Sequence, residues 1–182
     1  MTAIDRELRR AAANGQVSWE DIPLDGIDAD PELFGRARDW WDRIRGDRWA
    51  PSRHDINPAE IPSVLQHLLM VDVIRPGPRY RYRLAGTGSA AIHGFELTGH
   101  YIDELQPPEF AAQLQDQLNI VVETRKLQFV RWRFINREGY ARDYRVLRLP
   151  VSNDGEQVDI IIMVADFLRL KEPLGVLAPK SD

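Results

Sequence analysis

Residues 68–105, LLMVDVIRPGPRYRYRLAGTGSAAIHGFELTGHYIDEL, decide how this chain is read. The stretch opens on an apolar run, Leu68–Ile74, and turns at Arg75-Pro76-Gly77-Pro78-Arg79. It returns as Tyr80-Arg81-Tyr82-Arg83-Leu84, alternating apolar and charged residues with the period of a half-buried strand. Two strands joined by a turn rich in Pro and Gly predict a hairpin. Gly86-Thr87-Gly88 then stops the strand, its glycines permitting a sharp exit, and short helical stretches follow, punctuated by Gly94 and Gly99.

Downstream, Pro107-Pro108-Glu109 predicts the start of a helix running to Lys126, with Phe110, Leu114, Leu118, Val121 and Val122 on one face. Strands are expected at 127–135, 140–151 and 158–168, separated by Asn136-Arg137-Glu138-Gly139 and Asn153-Asp154-Gly155, which suits an antiparallel meander. Upstream, Asp30-Pro31-Glu32 is a helix start, and Leu33, Phe34, Ala37, Trp40, Trp41 and Ile44 recur at helical spacing until Gly46. Asn57-Pro58 with Glu60 predicts a second, two-turn helix to Gln66. Residues 3–13 predict a short amphipathic helix, and 16–30 a polar, acidic loop.

Hairpin, glycine break, short helices, long helix and three strands, in that order, resemble a PAS domain. The similarity is to a bacterial variant in which a strand ending in Gly86-Thr87 leads to G-x-x-L-T-G, here Gly94-Phe95-Glu96-Leu97-Thr98-Gly99. Arg45-Gly46, the segment Pro51-Ser52-Arg53-His54-Asp55-Ile56-Asn57-Pro58, Ile61-Pro62, and Arg148-Leu149-Pro150-Val151 before Asp154-Gly155 extend the match over roughly residues 45–168. The resemblance implies an α+β, PAS-like fold: a five-stranded antiparallel sheet with helices on one face and an N-terminal helical extension. The expected divisions are an extension at 1–30, a helical cap at 31–66, a core at 67–170 and a flexible tail at 171–182.

A net charge of −4 disfavours nucleic acid as the main partner. The absence of cysteine excludes disulfides, thiolate metal sites, and the cysteine-linked flavin or cinnamoyl chromophore of photosensory PAS domains. Haem of the usual PAS type takes its axial histidine from the long helix, and 108–126 holds none. His93, Glu96, His100 and Asp103 match no zinc spacing, so no metal site is assigned. No serine, histidine and acid suggest nucleophilic catalysis, and no catalytic residue is assigned. No apolar run spans a bilayer and the N-terminus has no signal-peptide core, which predicts a cytoplasmic protein.

Strand parity predicts a ligand cavity between sheet and helices, formed by Tyr82, Leu84, Ile92, Phe95, Phe110, Leu114, Leu118, Trp132 and Phe134. Arg131, Arg133 and Arg145 belong to a basic run between Arg125 and Arg148. They predict either protection of outer strands or a surface for an acidic partner. Strands 68–74 and 158–168 are apolar on both parities, so both faces of the sheet need cover. The helix carrying Trp40 and Trp41, or a second copy of the chain, is the available cover; a homodimer is therefore expected, with one Trp meeting the partner. No output domain follows Leu170, which predicts a stand-alone sensory regulator, not an enzyme. It would act through contact with another protein, such as a kinase in trans, and a small ligand in the cavity is a candidate gate. The competing readings are an enzyme or carrier using the same cavity, and an anion or nucleic-acid binder using the Arg-rich strands.

Overall fold

The computed structural model describes residues 17–93, 96–105, 108–135 and 141–167. A six-stranded antiparallel sheet forms its centre: β1 (Val17–Asp21), β2 (Leu68–Ile74), β3 (Arg79–Ala85), β4 (Gln128–Ile135), β5 (Ala141–Val151) and β6 (Ile160–Ala165). In space the order is β1-β4-β5-β6-β2-β3. The hairpin, the long helix and the closing meander stand as expected. The core helices are α2 (Thr87–His93) and α3 (Pro108–Thr124), and α1 (Arg36–Arg45) belongs to the segment before the core.

The five-strand expectation is corrected by β1, which falls in the supposed acidic loop. Its sequence, VSWED, is too short and polar to announce a strand, and its stability comes from its partner. Glu20 lies opposite Arg131 in register, Trp19 opposite Trp132, and the Glu20–Arg131 ion pair closes at 3.0 Å. The arginines of β4 and β5 thus lie inside the sheet rather than on its outer strands, and cross-strand charge pairing accounts for part of the basic run.

Of the two covers expected for the second face, the chain's own helix supplies it. α3 covers one face, burying Phe110, Leu114, Leu118 and Val121 against Val71, Val130, Val146 and Ile161. α1 and the turns around it cover the other, burying Phe34, Trp40 and Trp41 against Leu68, Leu147, Leu149 and Ile162. Alternate residues of β6 enter the two clusters in turn, which explains a strand apolar on both parities. Because this cover comes from the same chain, the apolar sheet supplies no need for a second subunit.

The predicted helix at 58–66 is instead a set of single turns at Pro58–Glu60 and Leu65–His67. Asn57 does cap the first, accepting the Ala59 amide at 3.3 Å. Glu60 does not reach back. It accepts from Trp40 Nε1 at 3.2 Å and from Arg43 at 2.6 Å, tying the turn to α1. Gly46 ends α1 at φ +56°, as glycine after a helix should. Gly86 has a different reason from the one expected. A Cβ there would strike the Leu65 carbonyl oxygen and come within 2.8 Å of the Gln66 oxygen, so glycine lets the 65–67 turn lie against the end of β3. The predicted helix at 3–13 and the tail at 171–182 lie outside the described residues.

Candidate functional site: a cavity with a buried arginine

The central strands and α3 line a cavity of about 30 Å³, space for roughly two waters. Parity builds its sheet wall: Tyr82 from β3, Trp132 from β4, Tyr144, Val146 and Arg148 from β5, Met163 and Ala165 from β6. Leu69, Phe167 and the α3 residues Phe110 and Leu114 complete it. Rings pack closely, Phe110 on Trp132 at 4.8 Å between centroids and Tyr144 on Phe167 at 5.0 Å.

The predicted cavity residues divide. Tyr82, Phe110, Leu114 and Trp132 line it. Leu118 is buried in the same cluster without bordering the space. Leu84 does not converge: it sits on the outermost strand, 37% exposed, because the register slip between Met70 and Val71 alters pairing at that end of the hairpin. Ile92 and Phe134 lie on α2 and β4 with side chains outside the described set, and Phe95 lies outside the described residues altogether.

Arg148 is the residue that sequence reasoning missed. It was counted with the basic run, yet Tyr144, Val146 and Arg148 share one strand parity, and that parity faces the core. The side chain is 0% exposed. Its Nη1 donates to Gln128 Oε1 at 2.8 Å, and Gln128 Nε2 donates to Asp21 Oδ1 at 3.1 Å. Nε and Nη2 have no hydrogen-bond partner among the described residues. Burial pushes the guanidinium down to about 10, which still leaves it protonated at neutral pH. The same burial pushes the hydroxyls of Tyr82 and Tyr144 upward, keeping them neutral. Across the core, Gln117 of α3 is also fully buried, with both amide atoms unpaired among the described residues; it follows Leu114 by one turn on the same buried face.

The expected partner surface is largely spent on the fold. Trp40 and Trp41 are both buried, at 3% and 2% exposure, and Trp41 Nε1 donates to the Pro150 carbonyl at 2.9 Å. Arg145 is enclosed between Asp166, at 2.8 Å, and Asp30, at 3.0 Å, with its guanidinium over the Phe34 ring. Arg131 is engaged by Glu20, and Arg133 is exposed. Among the described residues no group of three or more His, Cys, Asp or Glu is placed to hold a metal ion.

A family model described as PAS domain matches residues 32–164. The chain belongs to the PAS domain family. PAS domains are in general sensory modules. The match begins inside the π-helical turn Pro31–Gly35 that leads into α1, so this PAS domain includes the helix covering the second face. No curated protein matches the chain. Among solved structures, the LOV protein of Rhodobacter sphaeroides is similar at 16% identity and a TM-score of 0.41, over 59% of this chain and 64% of that one. The PAS domain of a Colwellia psychrerythraea protein is similar at 12% identity and 0.40, over 59% and 92%. An RNA-binding light-oxygen-voltage receptor is similar at 18% and 0.39, over 63% and 34%. The chain thus spans less than two thirds of the LOV protein. No helix among the described residues is long and apolar enough to cross a membrane.

Proposed function

We propose that this PAS domain is a non-catalytic sensory module. Its input is occupancy of the cavity between the sheet and α3, and its output is contact with another protein, such as a kinase acting in trans. The observation that carries the reading is the cavity, lined by aromatic rings and by an incompletely paired guanidinium. At about 30 Å³ it admits no metabolite without displacing its walls. Interiors are close-packed, so such a displacement is passed on rather than absorbed. Stacking two copies through the sheet is not part of the proposal, because the chain covers both faces itself. Of the arginines expected at an interface, Arg133 and the partly exposed Arg131 remain available to an acidic partner.

A melting-temperature screen against small metabolites tests the input. A ligand at a hundred times its Kd stabilises the fold by about 2.7 kcal/mol. For a chain of 182 residues that is roughly 5–11 °C. A screen in which nothing moves the midpoint by more than about a degree would reduce the cavity to a packing defect.

A further inference from the structure

The unpaired atoms of Arg148 are not scattered around its guanidinium. Nη1, on the side of the group nearer the chain, is taken by Gln128. Nε and Nη2 share the opposite edge, and both are buried and, among the described residues, free of partners. Two parallel N–H groups on one edge of a planar fork form the geometry that a carboxylate accepts with its two oxygens. A buried cation ordinarily has an anion against it, and an orphaned buried polar group calls for an explanation. Arg145, in the same strand, has two carboxylates; Arg148 has only neutral partners, and the nearest acid along its chain of hydrogen bonds is Asp21, beyond Gln128.

Resting on the cavity reading above, we propose that the cavity binds a small carboxylate, gripped in two-pronged fashion by the Nε–Nη2 edge of Arg148. The rings of Tyr82, Tyr144, Trp132 and Phe110 border the same space and would take the apolar remainder of the molecule. The neutral hydroxyls of Tyr82 and Tyr144 suit an anion, since a phenol held above its usual ionisation range donates a proton in a hydrogen bond rather than repelling the charge. A planar carboxylate is favoured over a phosphate by size. The present space is that of about two waters, and a carboxylate head occupies much of it.

The test titrates the whole chain with acetate and benzoate, and with benzyl alcohol as a neutral match for benzoate. Ionic strength is held constant with chloride, and the same series is run on Arg148→Met. Melting temperature and the indole N–H resonance of Trp132 are followed. The proposal expects saturable shifts with the carboxylates in the wild-type chain, and affinity at least roughly ten-fold weaker in the variant, the scale of a lost charged hydrogen bond. Benzoate and benzyl alcohol binding alike, in both proteins, would keep the cavity as a ligand site and sink the carboxylate assignment. Silence from all three, with hits elsewhere in the metabolite screen, would do the same. Silence from these and from the whole screen would end both readings. Should Arg148→Met not fold, the wild-type Arg148 Nε–H resonance decides. It must move on adding acetate and stay still on adding chloride; movement with both or with neither overturns the proposal.

Discussion

Arg145 and Arg148 stand on one strand, β5, and point to opposite faces of the sheet. Arg145 faces α1. It meets Asp30 and Asp166, lies over Phe34, and is joined there by the Trp41 indole bonded to Pro150. Arg148 faces α3, is more deeply buried, belongs to the lining of a small cavity, and has two nitrogens without partners among the described residues. A fold has no structural reason to give one guanidinium two carboxylates and its more deeply buried neighbour none. The difference marks the α1 face as the part built for stability. On the function proposed above, the α3 face is the part where stability has been surrendered to a ligand's chemistry.

The comparison breaks most readily at Trp41. Truncation to Ala removes a ring 2% exposed together with its hydrogen bond to Pro150. A loss of about 3–5 kcal/mol is expected, or roughly 6–20 °C in melting temperature. Urea denaturation at unchanged slope gives the figure directly. A loss under about 1 kcal/mol would show that the α1 face is not the sealed side described here.

Replacing each arginine by Met sharpens the contrast. Arg145→Met strands Asp30 and Asp166 against the core, and breaking a largely buried pair in this way costs about 3–5 kcal/mol. Arg148→Met removes a charge with no counter-ion and leaves Gln128 short of one neutral bond. Without ligand its effect should fall between about 1 kcal/mol of loss and a few kcal/mol of gain. Equal losses in both variants would mean that Arg148 is satisfied in solution, and the two faces would no longer differ in kind.

Much of this architecture was legible in the chain. Strands 68–74 and 158–168 advertised two covered faces by being apolar on both parities, and the helix with Trp40 and Trp41 was the cover available. What was not legible depended on partners remote in sequence. β1 is a strand only because β4 presents Arg131 and Trp132 to Glu20 and Trp19. Leu84 fits the alternation of a buried strand, but a register slip in the β2–β3 pair, where Arg83 is the extra residue, and its place on the outermost strand leave it exposed. Arg148 was hidden by composition, since a run of arginines reads as surface. Parity alone, applied to Tyr144, Val146 and Arg148, turns it inward.

The smallest expected effect concerns the α1 side again, at the turn Arg53–Asp55. Asp55 Oδ2 accepts the Ser52 backbone amide at 2.7 Å and the Ser52 hydroxyl at 2.8 Å, and pairs with Arg48 at 2.9 Å. These contacts, the backbone amide first, hold its carboxyl below the ordinary aspartate value of 3.8. A carboxylate depressed in the folded state stabilises fully above its unfolded value, and that contribution fades as pH falls through the folded one. Asp55→Asn should therefore cost about 1 kcal/mol at neutral pH, the scale of a lost cap. The gap from wild type should narrow steadily once the pH passes below about 4. The ligand shifts of the α3 face should be the same in both proteins, since Asp55 touches nothing there. A gap that persists unchanged into acid would mean that the amide substitution acts through shape rather than charge. A variant that also loses its response to ligand would show that the α1 side takes part in sensing, erasing the division of labour between the two faces.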